Sequence, residues 1–510
     1  MVDLRWFHGH TWNESGNLIR AVAYIPAVAA IVASSWAYAA EDAPGRALEA
    51  IAPADTLLYA ELTRPAEFWA ALQKTQLRQA VRESLLSEFL LNFTGATADL
   101  LCSSLTGRNL GQAAEHYDFT VAAVFAPPPP GQLGENPDVV ILLAAKSNAQ
   151  ELQRLLAERI RRTLTARFPD VEIAEGRIAG QAVTDIAFSP RRVWTLAFPN
   201  NLVAYGRRRA VEWLLTSRRH LVDDPKYVAA RKHVQPPDAP RIFCYAEVTQ
   251  AAGEGAIFYA PGTAMAGILT IDGPLVHDRL LLMGGVELPR LAQPATPGIG
   301  SAFPAGPWQA IQVSFASGSE MLKWFGNSKF PAGRQADAAF TGLAWLALTG
   351  DNDIFGTVLA AEVADNAAAE RRLTELDFEK KGPVWHGGEY IAIVSGGRLY
   401  LGRRGVMTRL VHKLTTRPAG PRLADTPGVD ERLRQLPPES HGYSMMNGDF
   451  LMTAGGEETF KRFERVLLAL PPFAASARVI DNAIEVKSIS PAGYGIWLTA
   501  ANISAALEEP

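Results

Sequence analysis

The sequence predicts an α+β fold made of two related units, each an antiparallel sheet with helices, produced by an internal duplication. Three observations predict it. First, one pattern occurs twice: residues 202–237 read LVAYGRRRAVEWLLTSRRHLVDDPKYVAARKHVQPP, and residues 399–438 read LYLGRRGVMTRLVHKLTTRPAGPRLADTPGVDERLRQLPP. Both run strand, Gly-Arg-Arg, helix, a Pro-led short helix, then Pro-Pro. Second, the apolar register matches as well as the letters. Ala210, Val211, Leu214 and Leu215 stand at the same distances from Gly206 as Val406, Met407, Leu410 and Val411 do from Gly402, a spacing that lays one apolar stripe along a helix. Third, hairpin signals are mixed with helices in both halves, which favours an antiparallel α+β arrangement over a doubly wound sheet.

Composition bounds the rest. A chain of 510 residues exceeds one ordinary core, so at least two domains are expected. Hydrophobic content of 48% and charged content of 20% mark a folded chain. A net charge of −4 gives no global attraction to nucleic acid or to an anionic membrane. Two cysteines, Cys102 and Cys244, exclude a disulfide-rich scaffold and a Cys-based zinc site. Cys244 sits in the apolar run 242–245 and reads as a small buried hydrophobe; a single bridge to Cys102 in an oxidising compartment stays open.

Residues 21–40 carry no charge, with Arg20 before them and Glu41-Asp42 after. Ala37-Tyr38-Ala39 has the small-x-small form of a signal-peptidase site, so residues 1–40 are expected to be an export signal. The run is Ala-rich and broken by Pro26, which makes a weak permanent span; a retained anchor is the alternative. His8 and His10 fall in this leader and are not read as metal ligands. The expected location is periplasmic or extracellular. The first unit is expected over 41–288, a Pro/Gly linker over 289–300, a second, shorter unit over 301–490, and a tail over 491–510.

In order, the first unit opens with Pro53-Ala54-Asp55-Thr56 and a strand over 57–62, followed by helices from Pro65 and over 77–93. Strands over 119–125 and 139–145 form a pair across a Pro127–Pro130 insertion, matched later by 342–348 and 354–363 across a Gly-Asp-Asn-Asp turn. Helices over 149–168 and 367–376 follow, the first capped by Asn148 and the second by Asp365 or Asn366. Short strands lead to each Gly-Arg-Arg, with the second half expected to be shorter here by about one strand pair. A strand and a closing hairpin end each unit, turning at Asp272-Gly273 and at Asp481-Asn482.

Pro53 to Tyr59, the Asp223-Asp224-Pro225 step and the late hairpin together resemble a group of exported bacterial proteins defined by an LPADT-type opening, a domain of unknown function. The resemblance spans residues 47–449. The chain departs from it with Ala52 in place of the usual Leu, and its second half reads Pro304-Ala305-Gly306. The resemblance implies export; it implies no activity, ligand or site residue.

Chemical motifs are sparse. There is no Gly-x-Ser-x-Gly, His-Glu-x-x-His, Cys-x-x-Cys or phosphate-loop pattern. His116-Tyr117-Asp118 reads as a polar link between helix and strand. His277 and Asp278 are adjacent in a strand, so their side chains face opposite ways. Asp351 and Asp353 have oxygens for a divalent cation, but a turn of that composition needs none. Arginines crowd three helices: Arg207, Arg208 and Arg209 with Arg218, Arg219 and His220; Arg403, Arg404, Arg409 and Lys413; and Arg159, Arg161, Arg162 and Arg167. Most read as solvated charge over apolar surface. The sharper reading makes Arg207, Arg208, Arg403 and Arg404 a basic face for an anionic envelope component. No aromatic residues interleave with them, so nucleic acid is not expected. No cofactor and no catalytic centre are expected. The chain is thus read as a non-enzymatic exported binding or scaffold component of the bacterial cell envelope. Two other classes stay open: an exported hydrolase with a site assembled from sequence-distant residues, and a carrier of an apolar ligand between the units.

Overall fold

The computed structural model describes residues 48–79, 108–127, 138–247, 264–292, 297–324, 339–447, 468–480 and 483–491, apart from short gaps within these ranges. The leader, all but the first residues of the helix expected over 77–93, Cys102, Asp118, Pro128–130, Asp353 and the tail past 491 lie outside the described residues. The chain divides into two compact units, one chiefly Gly16–Gln79 and Leu85–Val286, the other chiefly Glu287–Gly495.

The N-terminal unit begins with β1 (Leu58–Thr63), α1 (Pro65–Leu72), α2 (Leu110–Tyr117), β2 (Phe119–Phe125) and β3 (Val139–Ala145). It continues through α3 (Ala149–Arg167), β4 (Glu172–Ile178), β5 (Gln181–Ser189), β6 (Arg192–Ala197) and β7 (Leu202–Arg207). Then come α4 (Arg208–Thr216), α5 (Pro225–Val234), β8 (Arg241–Glu247), β9 (Ala264–Asp272) and β10 (Leu275–Met283). The ladder order is β4-β5-β6-β7-β3-β2-β1-β8-β9-β10, antiparallel throughout. Valine-rich stretches such as VVILLAA suit a pleated, buried surface. One face carries the core of Leu62, Phe68, Val121, Leu143, Leu152, Leu156 and Val203. Leu152 and Leu156 are one helical turn apart on α3, so the same stripe that makes the helix amphipathic docks it. The other face takes α5: Tyr59, opposite in strand parity to Leu62, meets Tyr227 edge-on at 6.2 Å.

The opening Pro53-Ala54-Asp55-Thr56 is pinned by backbone bonds to the segment after α4. Pro53 bridges His220, the Ala54 N–H donates to Arg219 O, and the Leu221 N–H donates to Ala52 O. The Thr56 hydroxyl donates to Pro53 O, and Trp213 Nε1 donates to the Asp55 carboxylate.

The C-terminal unit comprises α6 (Ile299–Ala302), β11 (Trp308–Ser314), α7 (Gly318–Trp324), β12 (Phe340–Asp351), β13 (Ile354–Val363) and α8 (Asn366–Glu375). Next come β14 (Glu379–Lys381), β15 (Val384–Gly387), β16 (Tyr390–Ser395), β17 (Arg398–Arg403), α9 (Arg404–Thr415) and α10 (Val429–Gln435). It closes with β18 (Gly442–Met446), β19 (Phe473–Ile480) and β20 (Ala483–Ser490). Its ladder, β14-β15-β16-β17-β13-β12-β11-β18-β19-β20, repeats the pairing order of the N-terminal unit strand for strand. Phe315, Met321, Phe340, Leu373, Trp385 and Leu399 form its core. Asp365 caps α8 by accepting from the Ala367 N–H at 2.8 Å.

Two expectations are corrected. The C-terminal unit does not lack a strand pair before its Gly-Arg-Arg; β14 and β15 are present, but only 3 and 4 residues long, too short to announce themselves by alternation. The fold class is also not α+β in two sheet-plus-helix units. Strand outweighs helix among the described residues, 46% to 33%, and the ten strands of each unit form one continuous antiparallel ladder, so the chain is mostly β. Local pattern reveals hairpins and helices, whereas the lateral pairing that joins hairpins into each ladder depends on partners far apart in sequence. No helix among the described residues is long and apolar enough to cross a membrane.

Candidate functional site

The two Gly-Arg-Arg steps are direct strand-to-helix joints, β7 into α4 and β17 into α9. Each glycine sits where the neighbouring strand leaves no room. A Cβ on Gly206 would lie 2.7 Å from the Val139 carbonyl oxygen; one on Gly402 would lie 3.0 Å from Thr357 O and 2.9 Å from Met407 Cγ. The helices then bury Val211 and Leu214, or Val406, Met407 and Leu410, each contributing about 1.5–3 kcal/mol through burial. That packing fixes where the arginines emerge.

In the N-terminal unit the arginines meet two carboxylates held by the sheet. Arg207 Nε is 3.5 Å and Arg209 Nη2 is 2.8 Å from the two oxygens of Asp138, a nearly buried side chain. Arg208 pairs with Asp185, whose other oxygen accepts from Thr195 Oγ1 at 2.6 Å. The three arginine side chains stay 59%, 42% and 50% exposed in chain order. Cations at a helix N-terminus oppose its dipole, and Asp138 and Asp185 offset that. Three guanidinium groups against two carboxylates leave a local excess of one positive charge. In the C-terminal unit Arg403 Nε lies 3.7 Å from Glu389, and Arg404 donates through Nη2 to Gly388 O at 2.8 Å. All four arginines singled out from sequence therefore stand at the joints, beside groups of their own unit. Sequence reading did not find Asp138, Asp185 or Glu389, because nothing local links them to the arginines.

A second cluster went unseen in the sequence. Arg231 on α5 reaches Glu49 at 2.9 Å and Glu61 on β1 at 3.6 Å, over the ring of Phe243 at 4.2 Å. The Tyr59 hydroxyl donates to the other Glu61 oxygen at 2.8 Å, and Tyr245 donates to Asp224 at 3.1 Å. Burial, then the neighbouring Glu61, pushes the Tyr59 phenol well above its ordinary value. Burial alone would lower the Arg231 guanidinium, but Glu61, Tyr227 and Glu49 outweigh it and its pKa ends raised. An always-charged arginine closed in by two carboxylates holds a structure together; it offers no base or nucleophile. The signal available in sequence was Glu61 sharing a strand face with Tyr59.

The remaining motifs are placed as follows. His116 Nε2 is 3.1 Å from Glu151 Oε2 and 3.3 Å from Arg108 Nη2, so its acid comes from α3. His277 is half-buried and Asp278 buried at successive positions of β10, on opposite faces. Asp351 ends β12. Among the described residues no group of three or more His, Cys, Asp or Glu side chains could hold a metal ion. Cys244 is a free thiol, half-buried rather than the fully buried hydrophobe expected, and desolvation pushes its pKa up to about 12. Arg161 pairs with Glu175 on β4 at 2.9 Å, and His220 Nδ1 donates to Ile51 O.

No family model matches the chain, and no curated protein matches it. Among solved structures it is similar to one titled "Structure of crystal form I of TP0453", at 12% identity over 49% of this chain and 82% of that one, with a TM-score of 0.25. That score is too low to carry an argument about fold or role.

Proposed function

We propose that this chain is an exported, non-enzymatic binding or scaffold component of the cell envelope, and that its arginine joints bind an anionic envelope component. One observation carries the reading. Arg207, Arg208 and Arg209 are aimed by fixed carboxylates yet stay about half exposed. Guanidinium groups oriented in this way keep outward N–H donors for a carboxylate or phosphate without the entropy cost of ordering a free side chain. The uncharged segment ending at Ala39 supports export. The ties of Pro53 and Ala54 to the segment after α4, and of Asp55 to Trp213 on α4, give the LPADT-type opening a physical role, and we propose that the resemblance reflects membership of that group.

The test is binding of the purified chain to isolated envelope fractions. Replacing Arg207, Arg208, Arg403 and Arg404 by Ala should weaken binding about tenfold or more, ~1.4 kcal/mol per factor of ten, with unfolding midpoints close to wild type. Unchanged binding would remove the arginine joints from the function.

A further inference from the structure

The pairing register shows that the two arginine joints are built differently. Val140 of β3 lies opposite Gly206, and Val358 of β13 lies opposite Gly402, so Asp138 of the N-terminal unit corresponds to Gly356. Asp185 lies opposite Thr195, which lies opposite Gly206; the same path from Gly402 runs through Ile391 to His386. Arg209, counted from Gly206, corresponds to Gly405, counted from Gly402. At these positions the C-terminal unit has neither of the two sheet carboxylates nor the third arginine. A Cβ on Gly356 would lie 2.5 Å from Val406 Cγ2, so a valine side chain stands where the N-terminal unit places Asp138.

In the N-terminal unit Asp138 joins two guanidinium groups, one oxygen to each: Oδ1 to Arg207 Nε at 3.5 Å and Oδ2 to Arg209 Nη2 at 2.8 Å. Asp138 is 6% exposed, whereas Arg207 and Arg209 are 59% and 50% exposed. The carboxylate grips the pair from inside, and the N–H donors it does not engage remain at the surface. We propose that Arg207 and Arg209 form a clamp for a phosphate group, one site per chain, in the N-terminal unit. The inference rests on the reading of the joints as anion sites; it assigns one of them its ligand chemistry and a further binding residue, Arg209. Two forks on separate side chains offer donors from two directions. A phosphate group holds its oxygens out of one plane and gives each fork its own acceptors, whereas a planar carboxylate must share its two oxygens between them. Two guanidinium groups against one carboxylate leave one positive charge for the incoming anion. A lipid headgroup and a soluble phosphorylated molecule present the same group to the clamp.

The experiment is isothermal titration calorimetry of the full chain with inorganic phosphate near neutral pH, repeated with acetate at matched ionic strength. The expected result is one phosphate per chain, with acetate bound about tenfold more weakly or less, the worth of one hydrogen bond to a charged group. Arg209→Gly, which installs the residue of the C-terminal unit, should weaken phosphate binding about tenfold or more. Arg209→Lys keeps a cation beside the buried Asp138, and so the fold, but lacks the fork, and it should weaken phosphate binding as well. Vesicles of phosphatidylcholine with and without phosphatidic acid identify the source. Attachment to the acidic vesicles that is lost in Arg209→Lys assigns a lipid headgroup; phosphate binding without attachment assigns a soluble phosphate. Wild-type phosphate affinity in both Arg209 variants, or two equivalent phosphate sites, would overturn the clamp. Acetate bound as tightly as phosphate, or no binding of phosphate by the wild type, would overturn phosphate as the ligand. Binding to envelope fractions decides separately whether the joints take an anion at all.

Discussion

Gly206 and Gly402 show how one atom sets a motif. The Gly-Arg-Arg letters are plain in the sequence, and so is their position between a strand and a helix. The reason for glycine is not, because the carbonyls that crowd it, Val139 O on β3 and Thr357 O on β13, are far from β7 and β17 in the chain. Gly206→Ala forces a methyl against a backbone carbonyl that cannot rotate aside. It should cost about 1–3 kcal/mol, the range for overpacking a tight interior, read as a lower urea midpoint. A loss within about 0.5 kcal/mol, the range of a neutral surface change, would mean that the strands separate easily there. The arginines that follow were legible as residues but not as a geometry, since Asp138, just before β3, and Asp185, on β5, are distant from them in the chain.

At the level of elements, the docking of β1 on α5 has a charged and an uncharged version in one chain. Counting from Pro53 and Pro304, Glu49 and Glu61 fall where the C-terminal unit has Gly300 and Gln312; counting from Leu221 and Leu423, Arg231 falls where it has Leu433. Gln312 meets its buried site without charge, accepting from the Gly298 N–H at 2.7 Å and Trp345 Nε1 at 3.1 Å. The ladder is the same in both places, so the pairing order does not require the ions. Removing Arg231 alone, as Arg231→Leu, strands two buried carboxylates and should cost about 3–5 kcal/mol. Combining it with Glu49→Ala and Glu61→Gln should recover most of that loss, because well-packed neutral groups often match a buried ion cluster. Urea melts decide: a triple variant no more stable than Arg231→Leu would show that the cluster is needed for the fold. Sequence reading saw Glu61 inside an apolar strand and Arg231 on a helix, but only tertiary contact brings them together.

Over the whole molecule, the local elements were largely legible and their lateral assembly was not. Hairpins and amphipathic helices follow from period and turn residues, whereas the ten-stranded ladder of each unit follows from pairings between distant segments. Among the described residues β4 and β14 each pair on one side only. β14 is three exposed charged residues, and β4 carries Glu172, Glu175 and Arg177; charged or very short strands of this kind discourage edge-to-edge association. The chain as a whole carries a net charge of −4, so an anion bound at the arginine joints, as proposed, would approach them against the global field. Binding there must rest on short contacts to a few fixed donors. The most direct test of that claim is the salt dependence of wild-type binding to envelope fractions, plotted as the logarithm of affinity against the logarithm of salt concentration. The account predicts a shallow fall, equivalent to roughly one or two ions released per joint, and no fall in the variant lacking Arg207, Arg208, Arg403 and Arg404. Wild-type binding that is independent of salt, or a fall that the variant keeps in full, would contradict it.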